Sequence, residues 1–175
     1  RPNQYLAHKP QLQEQATKLI SANTGGCMNL PKVLQGVDLF GGLSDQELEK
    51  VAKICKHRQF EKNEIIAQQG EIGNELFIII DGFVEVVLGE RAGNAARVVV
   101  SMGGGQIIGE MALLDQGPRS ASIRATSDPT TVQVIQRDNF EELCQRDTNI
   151  GYIVMRNLAA DLSFKLRLRN LSEIG

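Results

Sequence analysis

Between residues 58 and 137 the chain is a succession of short runs separated by turn residues. Most runs are rich in Val, Ile or Phe, whereas the separators contain Gly, Pro, Asn or Asp, and this pattern is typical of β-strands joined by tight turns. The runs are Glu64–Gln68, Leu76–Ile80, Phe83–Leu88, Arg97–Met102, Ala121–Ala125 and Val132–Ile135. So many short strands at close spacing predict a β-barrel or jelly roll.

Helical patterns flank this β region on both sides. Ser44, with Glu47 three residues later, predicts a capped helix start, and apolar residues then recur at helical spacing as far as Cys55. Asp138 with Glu141 predicts the capped start of a short helix after the strands. A longer C-terminal helix is predicted from Ile150, Val154, Leu158, Leu162 and Leu166. The sequence therefore predicts an α+β fold, a jelly-roll-like β-barrel (β-roll) flanked by N-terminal and C-terminal helices.

The first 33 residues carry a separate helical pattern. From Pro10 to Asn23, four apolar residues share one helical face, and proline stands at the start. We therefore expect a helical extension or linker over residues 1–33 and a principal domain over residues 34–175. Because the chain begins at Arg1 rather than Met, we also expect that upstream sequence has been removed.

Composition argues against several classes of protein. Nineteen basic and twenty-one acidic residues give a formal charge of −2, which offers no large positive field, so nucleic acid is not an expected partner of this chain. The longest apolar run, Leu76–Ile80, is far shorter than the roughly 20 residues of a membrane-spanning helix, so no membrane segment is expected. The expected location is the cytoplasm, for a free protein or for the cytoplasmic domain of a larger one.

Catalytic and metal-binding patterns are also missing. The three cysteines (Cys27, Cys55, Cys144) stand far apart, which indicates reduced core residues rather than disulfides or a zinc site. A metal-dependent jelly-roll enzyme needs clustered His and Glu ligands, but only one histidine, His57, borders the β region. His8 and His57 have no partner at metal spacing, and no activated nucleophile stands near His57. We expect neither an enzyme nor a bound metal or cofactor.

One loop carries distinctive chemistry: "GQIIGEMALLDQGPRSASIRA", Gly105–Ala125. A helical turn predicted over Met111–Leu114 would offer unpaired N–H groups and a positive dipole end, which favour an anion. Arg119 adds a guanidinium that can hold two phosphate oxygens, whereas Glu110 would repel phosphate but accept a sugar hydroxyl. The loop therefore predicts a small anionic ligand with a neighbouring hydroxyl.

The segment Gly109–Leu113 (GEMAL), followed after five intervening residues by Arg119-Ser120-Ala121, resembles the phosphate-binding cassette of the cyclic nucleotide-binding domain family. The resemblance extends from about Leu34 to Leu171 and includes the capped helix, the glycine-punctuated strands and the terminal helices. Many members have an aromatic residue before the first glycine, where this chain has Ile108.

The resemblance implies a role for each matching residue. Glu110 would accept the ribose 2′-hydroxyl, and Arg119 would bind the cyclic phosphate. Gly109 and the backbone N–H groups around Met111, Ala112, Ser120 and Ala121 would complete the cradle. Val100 and Met102 alternate on their strand, where a valine-rich sequence is expected to form ordinary core, with lining of the base pocket as the alternative for these two residues. A second alternative makes Glu110 and Arg119 a surface ion pair worth only about 0–1 kcal/mol.

The resemblance implies a regulatory module that binds cyclic AMP in preference to cyclic GMP, although the hydroxyl of Ser120 is compatible with both. Binding would pass through the C-terminal helices to an effector domain or partner protein, and the last helix could also join two copies in a homodimer. Lys165, Arg167 and Arg169 are expected on its solvated face, with a lid over the base as the alternative. Two other functions stay open: an interaction domain of the same fold that binds no nucleotide, and the sensor of a transcription regulator lacking its DNA-binding module.

Overall fold

The computed structural model describes residues 29–89 and 96–172. The predicted helix over Pro10–Asn23 lies outside these residues, as do Cys27 and His8. In chain order the elements are α1 (Leu30–Gln35), a 3₁₀ turn (Asp38–Phe40), α2 (Asp45–Ile54), β1 (Cys55–Phe60), β2 (Ile65–Ala67), β3 (Glu75–Asp81), β4 (Phe83–Leu88), β5 (Arg97–Gly103), β6 (Ile107–Ile108), a second 3₁₀ turn (Glu110–Leu113), β7 (Ser122–Ala125), β8 (Thr130–Gln136), α3 (Arg137–Arg146) and α4 (Thr148–Ser172).

The strands form two four-stranded antiparallel sheets that enclose an apolar interior. The first sheet has the order β1-β8-β3-β6 and the second the order β2-β7-β4-β5. The buried residues of both sheets meet in one group, the roll cluster, which consists of Phe77, Ile79, Val84, Ile108, Ile123, Val132 and Val134. This arrangement of sheets and flanking helices confirms the predicted α+β β-roll.

Strand β3 separates the interior of the roll from the helices and is buried on both faces. Successive side chains of a strand point to opposite faces. Phe77 and Ile79 face the roll cluster, whereas Leu76, Ile78 and Ile80 pack with the helices. Burial on both sides explains why the longest apolar run of the sequence falls on this strand.

The helices pack on the outer face of β3 in a second group, which we call the helical cluster. Phe140 of α3 and Ile150, Val154 and Leu158 of α4 are almost fully buried in it. Each such side chain contributes about 1.5–3 kcal/mol through burial, so the first half of α4 is held firmly. Leu166 is 60% exposed, so the apolar stripe predicted for this helix leaves the core in its distal half.

A polar anchor reinforces the first half of α4. Asn157 is buried, and its side-chain amide donates to the carbonyl oxygens of Leu39 at 3.0 Å and Gly41 at 2.9 Å. These carbonyls belong to the segment around the first 3₁₀ turn. Asn157 therefore ties α4 to the segment that precedes α2.

Helix α2 begins as the sequence predicts, whereas α3 does not. The Ser44 hydroxyl and the Glu47 carboxylate each bond to the other's backbone N–H, which forms a complete capping box. The N-cap of α3 is Gln136, with no side-chain hydrogen bond, and Asp138 lies inside the first turn. The cap predicted at Asp138 is wrong because β8 runs directly into the helix and leaves no separate capping turn.

All six predicted strands are present, with bounds that differ from the prediction by at most two residues. The sequence pattern misses β1 and β6. The residues of β1 are mostly exposed and show no apolar alternation, and the strand exists because it pairs with β8 from Cys55↔Ile135 to Phe60↔Thr130. Strand β6 has two residues, which is too short for any periodicity.

Candidate functional site

The segment singled out in the sequence begins at the end of β6. Ile108 pairs with Phe77 of β3, and Gly109 then adopts a left-handed conformation with φ of 75°, which glycine tolerates best. The second 3₁₀ turn follows, and its residues Ala112 and Leu113 are buried. We call residues 109–121 the cassette loop.

The far end of the cassette loop is fastened by the turn between β2 and β3. The N–H of Arg119 donates to the Glu71 carbonyl at 2.7 Å, and its carbonyl accepts from Gly70 N–H at 2.9 Å. Ile72 and Pro118 form an isolated β-bridge beside them. These contacts fix the backbone of Arg119 relative to both sheets.

The guanidinium of Arg119 turns toward β3 and is half-buried there. Its Nη2 donates to the Glu75 carbonyl at 2.8 Å, and the group lies 5.3 Å from the centroid of the Phe77 ring. Partial burial lowers the pKa of Arg119, while the carboxylates of Glu75, Glu110 and Glu71 act in the opposite direction. Within the described ranges Arg119 forms no salt bridge. A cation taken partly out of water without a contacting anion is one that an incoming anion stabilises.

Two glycines leave room for this side chain. A Cβ atom on Gly73 or on Gly109 would collide with the guanidine end of Arg119 at a distance that real Cβ contacts do not show. Gly109 also needs glycine because of its positive φ, whereas Gly73 is not among the glycines with positive φ. The absence of a side chain at Gly73 therefore leaves the space that the guanidinium of Arg119 occupies. The sequence shows only a turn at this point.

Glu110 contacts the C-terminal helix rather than Arg119. Its side chain is 13% exposed, and its Oε1 accepts from Lys165 Nζ at 2.5 Å. The same ammonium group lies 2.8 Å from Asp161 Oδ2, one turn earlier on α4. Burial alone would lower the pKa of Lys165, but the two carboxylates outweigh it and raise the pKa.

This contact corrects two expectations from the sequence. Lys165 does not lie on a merely solvated face of α4, because it joins the helix to the cassette loop. The alternative of a surface ion pair between Glu110 and Arg119 is wrong as well, since each group has another partner. No local sequence pattern connects Glu110 with Lys165, which is 55 residues away.

The remaining cradle residues lie in varied environments. Met111 and Ser120 are exposed, and Ala121 is half-buried. The N–H of Ala112 donates to the Gly109 carbonyl at 3.0 Å, so a ligand would have to share or replace this bond.

The two residues predicted for the base pocket lie on β5. Met102 is opposite Val84, and Val100 is opposite Val86, so alternation places them on one face of the strand. Met102 is partly buried against the roll cluster, whereas Val100 is 46% exposed. Met102 therefore lies nearer the interior of the roll, and Val100 lies nearer its surface.

The other metal-ligating and nucleophilic side chains of the described residues do not cluster. The described residues contain no group of three or more His, Cys, Asp or Glu that could hold a metal ion. Cys55 and Cys144 are free and partly buried, and burial raises the pKa of the Cys55 thiol to about 12. Among the described residues, no helix is long and apolar enough to cross a bilayer.

A β-roll with flanking helices, a left-handed glycine at the start of a short turn and a half-buried arginine at the end of the loop define a class of small-ligand-binding domains. Residues 57–147 match the family model of the cyclic nucleotide-binding domain. The chain belongs to this family, which confirms the resemblance found in the sequence.

Individual relatives differ in what they share with this chain. The cyclic AMP receptor protein of Thermus thermophilus is 32% identical over 138 residues, which are 79% of this chain and 61% of that protein. The cGMP-dependent protein kinase of Eimeria tenella is 28% identical over 70% of this chain but only 12% of the kinase. A solved cyclic nucleotide-binding domain from Methylobacillus flagellatus is similar with a TM-score of 0.68 at 27% identity, over 79% of this chain and 76% of that one. The chain thus spans about three fifths or less of the two sequence relatives.

Proposed function

We propose that this chain is a regulatory module that binds a cyclic nucleotide, cyclic AMP in preference to cyclic GMP, in the cassette loop. The proposed domain covers residues 34–175, with residues 1–33 as a linker. The observation that carries the proposal is the half-buried guanidinium of Arg119, which contacts a backbone carbonyl but no carboxylate of the described residues. A cyclic phosphate would supply the missing anion, and a planar guanidinium can bond two of its oxygens.

The proposed cradle uses both ends of the loop. Glu110 accepts the ribose 2′-hydroxyl, and Arg119 binds the phosphate. Gly109, Met111, Ala112, Ser120 and Ala121 complete the cradle, and Val100 and Met102 contact the base. The preference for cyclic AMP rests on the higher identity to the cyclic AMP receptor protein than to the cGMP-dependent kinase.

Binding would reach the helices through the second 3₁₀ turn. Leu113 of this turn is buried in the helical cluster with Phe140 and Ile150. A ligand that moves the turn would therefore shift side chains in the cluster to which α3 and α4 also contribute, so that ligand binding and helix position are thermodynamically linked. An effector domain, a partner protein or a second copy of this chain would respond to that shift, and light scattering with and without ligand tests the second copy.

Calorimetric titration of the purified chain tests the function itself. Cyclic AMP should bind more tightly than cyclic GMP, and 5′-AMP should bind least because it lacks the cyclic phosphate. Binding of none of the three would identify an interaction domain that keeps the fold without a nucleotide.

Glu110→Gln should weaken cyclic AMP about three- to tenfold and leave 2′-deoxy cyclic AMP within twofold of its original affinity. A hydroxyl bonds more strongly to an ionised carboxylate than to an amide, and the deoxy ligand never uses this contact. Calorimetry on both proteins with both ligands gives the comparison. Equal losses for the two ligands would remove the ribose assignment from Glu110.

Gly73→Ala should weaken cyclic AMP by about tenfold with little change in the melting temperature. The backbone at Gly73 is compatible with alanine, but the new methyl group would displace the guanidinium of Arg119 from its place on β3. Gly70→Ala is an informative comparison, because a Cβ there meets nothing within 4 Å, although the positive φ of Gly70 costs stability. If Gly73→Ala binds as tightly as the unaltered chain, Arg119 does not need that place.

A further inference from the structure

Glu75, at the start of β3, contacts two arginines through different parts of the residue. Its backbone carbonyl accepts from Arg119 Nη2 at 2.8 Å. Its carboxylate pairs instead with Arg58 of β1, with Oε2 3.4 Å from Nη1 and Oε1 3.4 Å from Nη2. Both carboxylate oxygens are therefore turned to Arg58, and neither forms a salt bridge with Arg119.

The register of the first sheet places these side chains on one face. Phe77 faces the roll cluster, and Glu75 lies two residues earlier on the same strand. Arg58 is opposite Val132, which also belongs to the roll cluster. The guanidinium of Arg119 lies over the Phe77 ring, 5.3 Å from its centroid. Arg58 and Arg119 therefore approach Glu75 from the same side of the sheet.

Arg119 is the cation that the Glu75 carboxylate would reach if Arg58 were absent. Because Arg119 bonds the Glu75 carbonyl, its guanidinium is within reach of the Glu75 side chain. Burial lowers the pKa of Arg119, and of the carboxylates that oppose this effect Glu75 acts most strongly. Arg137, whose backbone N–H donates to the neighbouring Asn74 carbonyl, is already paired with Glu141 at 2.6 Å. A released Glu75 carboxylate would therefore turn to Arg119.

We propose that Arg58 is a positioning residue, which holds the Glu75 carboxylate away from Arg119 and so leaves Arg119 open to the cyclic phosphate. This inference rests on the proposed function. The Glu75 side chain is 17% exposed, so its carboxylate depends on a cation partner. Without Arg58, the phosphate would have to break an ion pair between Glu75 and Arg119, and the displaced carboxylate would repel the phosphate.

A double-mutant cycle measured by calorimetry tests this role. Arg58→Met should weaken cyclic AMP about fivefold, or about 1 kcal/mol at about 1.4 kcal/mol per tenfold, the size of an ion pair between partly exposed groups. Glu75→Gln removes the carboxylate but keeps the carbonyl that Arg119 uses, so it should bind at least as tightly as the unaltered chain. The double variant should return to within twofold of the unaltered chain, because no carboxylate is left to restrain.

Lys56→Met is the control for a general loss of positive charge, because Lys56 is exposed two residues earlier on β1. It should change the affinity less than twofold. Arg58 is 47% exposed on an edge strand, so thermal melts should show that its variants stay folded.

Unchanged affinity in Arg58→Met would overturn the inference and leave cyclic nucleotide binding intact. Failure of Glu75→Gln to restore the affinity of Arg58→Met would also overturn it, because Arg58 would then act on the ligand directly or through the fold. Equal weakening by the two single substitutions would mean that the ion pair is merely structural. If the unaltered chain binds neither cyclic AMP nor cyclic GMP, both proposals fall.

Discussion

Replacing Arg119 with alanine is expected to weaken cyclic AMP binding by about 30- to 3000-fold while the domain stays folded. Truncating one partner of a buried charge pair typically costs roughly 2–5 kcal/mol, at about 1.4 kcal/mol per tenfold. The bound phosphate would face only backbone donors in a place that is partly out of water. The free energy of unfolding should change much less than the binding free energy, because the side chain of Arg119 donates to one carbonyl and forms no salt bridge among the described residues.

Two further variants separate geometry from charge. Arg119→Lys keeps the positive charge but not the planar group with two donors, so it should recover only part of the lost affinity. Arg124→Ala removes the same charge from the neighbouring β7, where Arg124 pairs with Glu85 at 2.9 Å, and should change the affinity less than threefold. Calorimetry and thermal melts of each variant give affinity and stability together. A folded Arg119→Ala protein that still binds tightly would rule out Arg119 as the phosphate ligand.

The sequence predicts the strands well where the fold uses apolar side chains locally. Strand β3 is buried on both faces, and Val84 and Val87 of β4 are buried as well. The apolar composition of these two strands therefore makes them recognisable in the sequence. Strand β1 owes its conformation to β8 and to no pattern of its own. The β-propensity of the residues therefore predicts the central strands of this roll but not the edge strand β1, which depends on pairing with β8.

The cassette loop shows the same division. The glycine, glutamate and arginine are visible in the sequence because each residue type suits one part of a ligand. The environment of those residues is not visible, since Gly73 reaches Arg119 and Lys165 reaches Glu110 only through tertiary structure. Sequence spacing thus predicts which groups could bind a cyclic phosphate, whereas the contacts that position or restrain them depend on how β3 and α4 pack.

The same dependence on tertiary contacts makes Asn157 a sensitive position. Asn157→Ala is expected to lower the free energy of unfolding by about 1–3 kcal/mol, because the carbonyls of Leu39 and Gly41 would lose a buried donor. For a domain of this size the melting temperature should fall by about 3–12 °C. Asn157 contacts no residue of the cassette loop in any hydrogen bond of the described residues, so cyclic AMP affinity measured well below the transition should change less than threefold.

Ser163→Ala is the matched control, because Ser163 is exposed on the same helix and its replacement should stay within about 0.5 kcal/mol. Thermal melts in parallel distinguish the two positions. If Asn157→Ala melts like Ser163→Ala, water satisfies both carbonyls and the first half of α4 is held by its apolar residues alone. If instead affinity falls together with stability, the position of the first half of α4 controls the cassette loop.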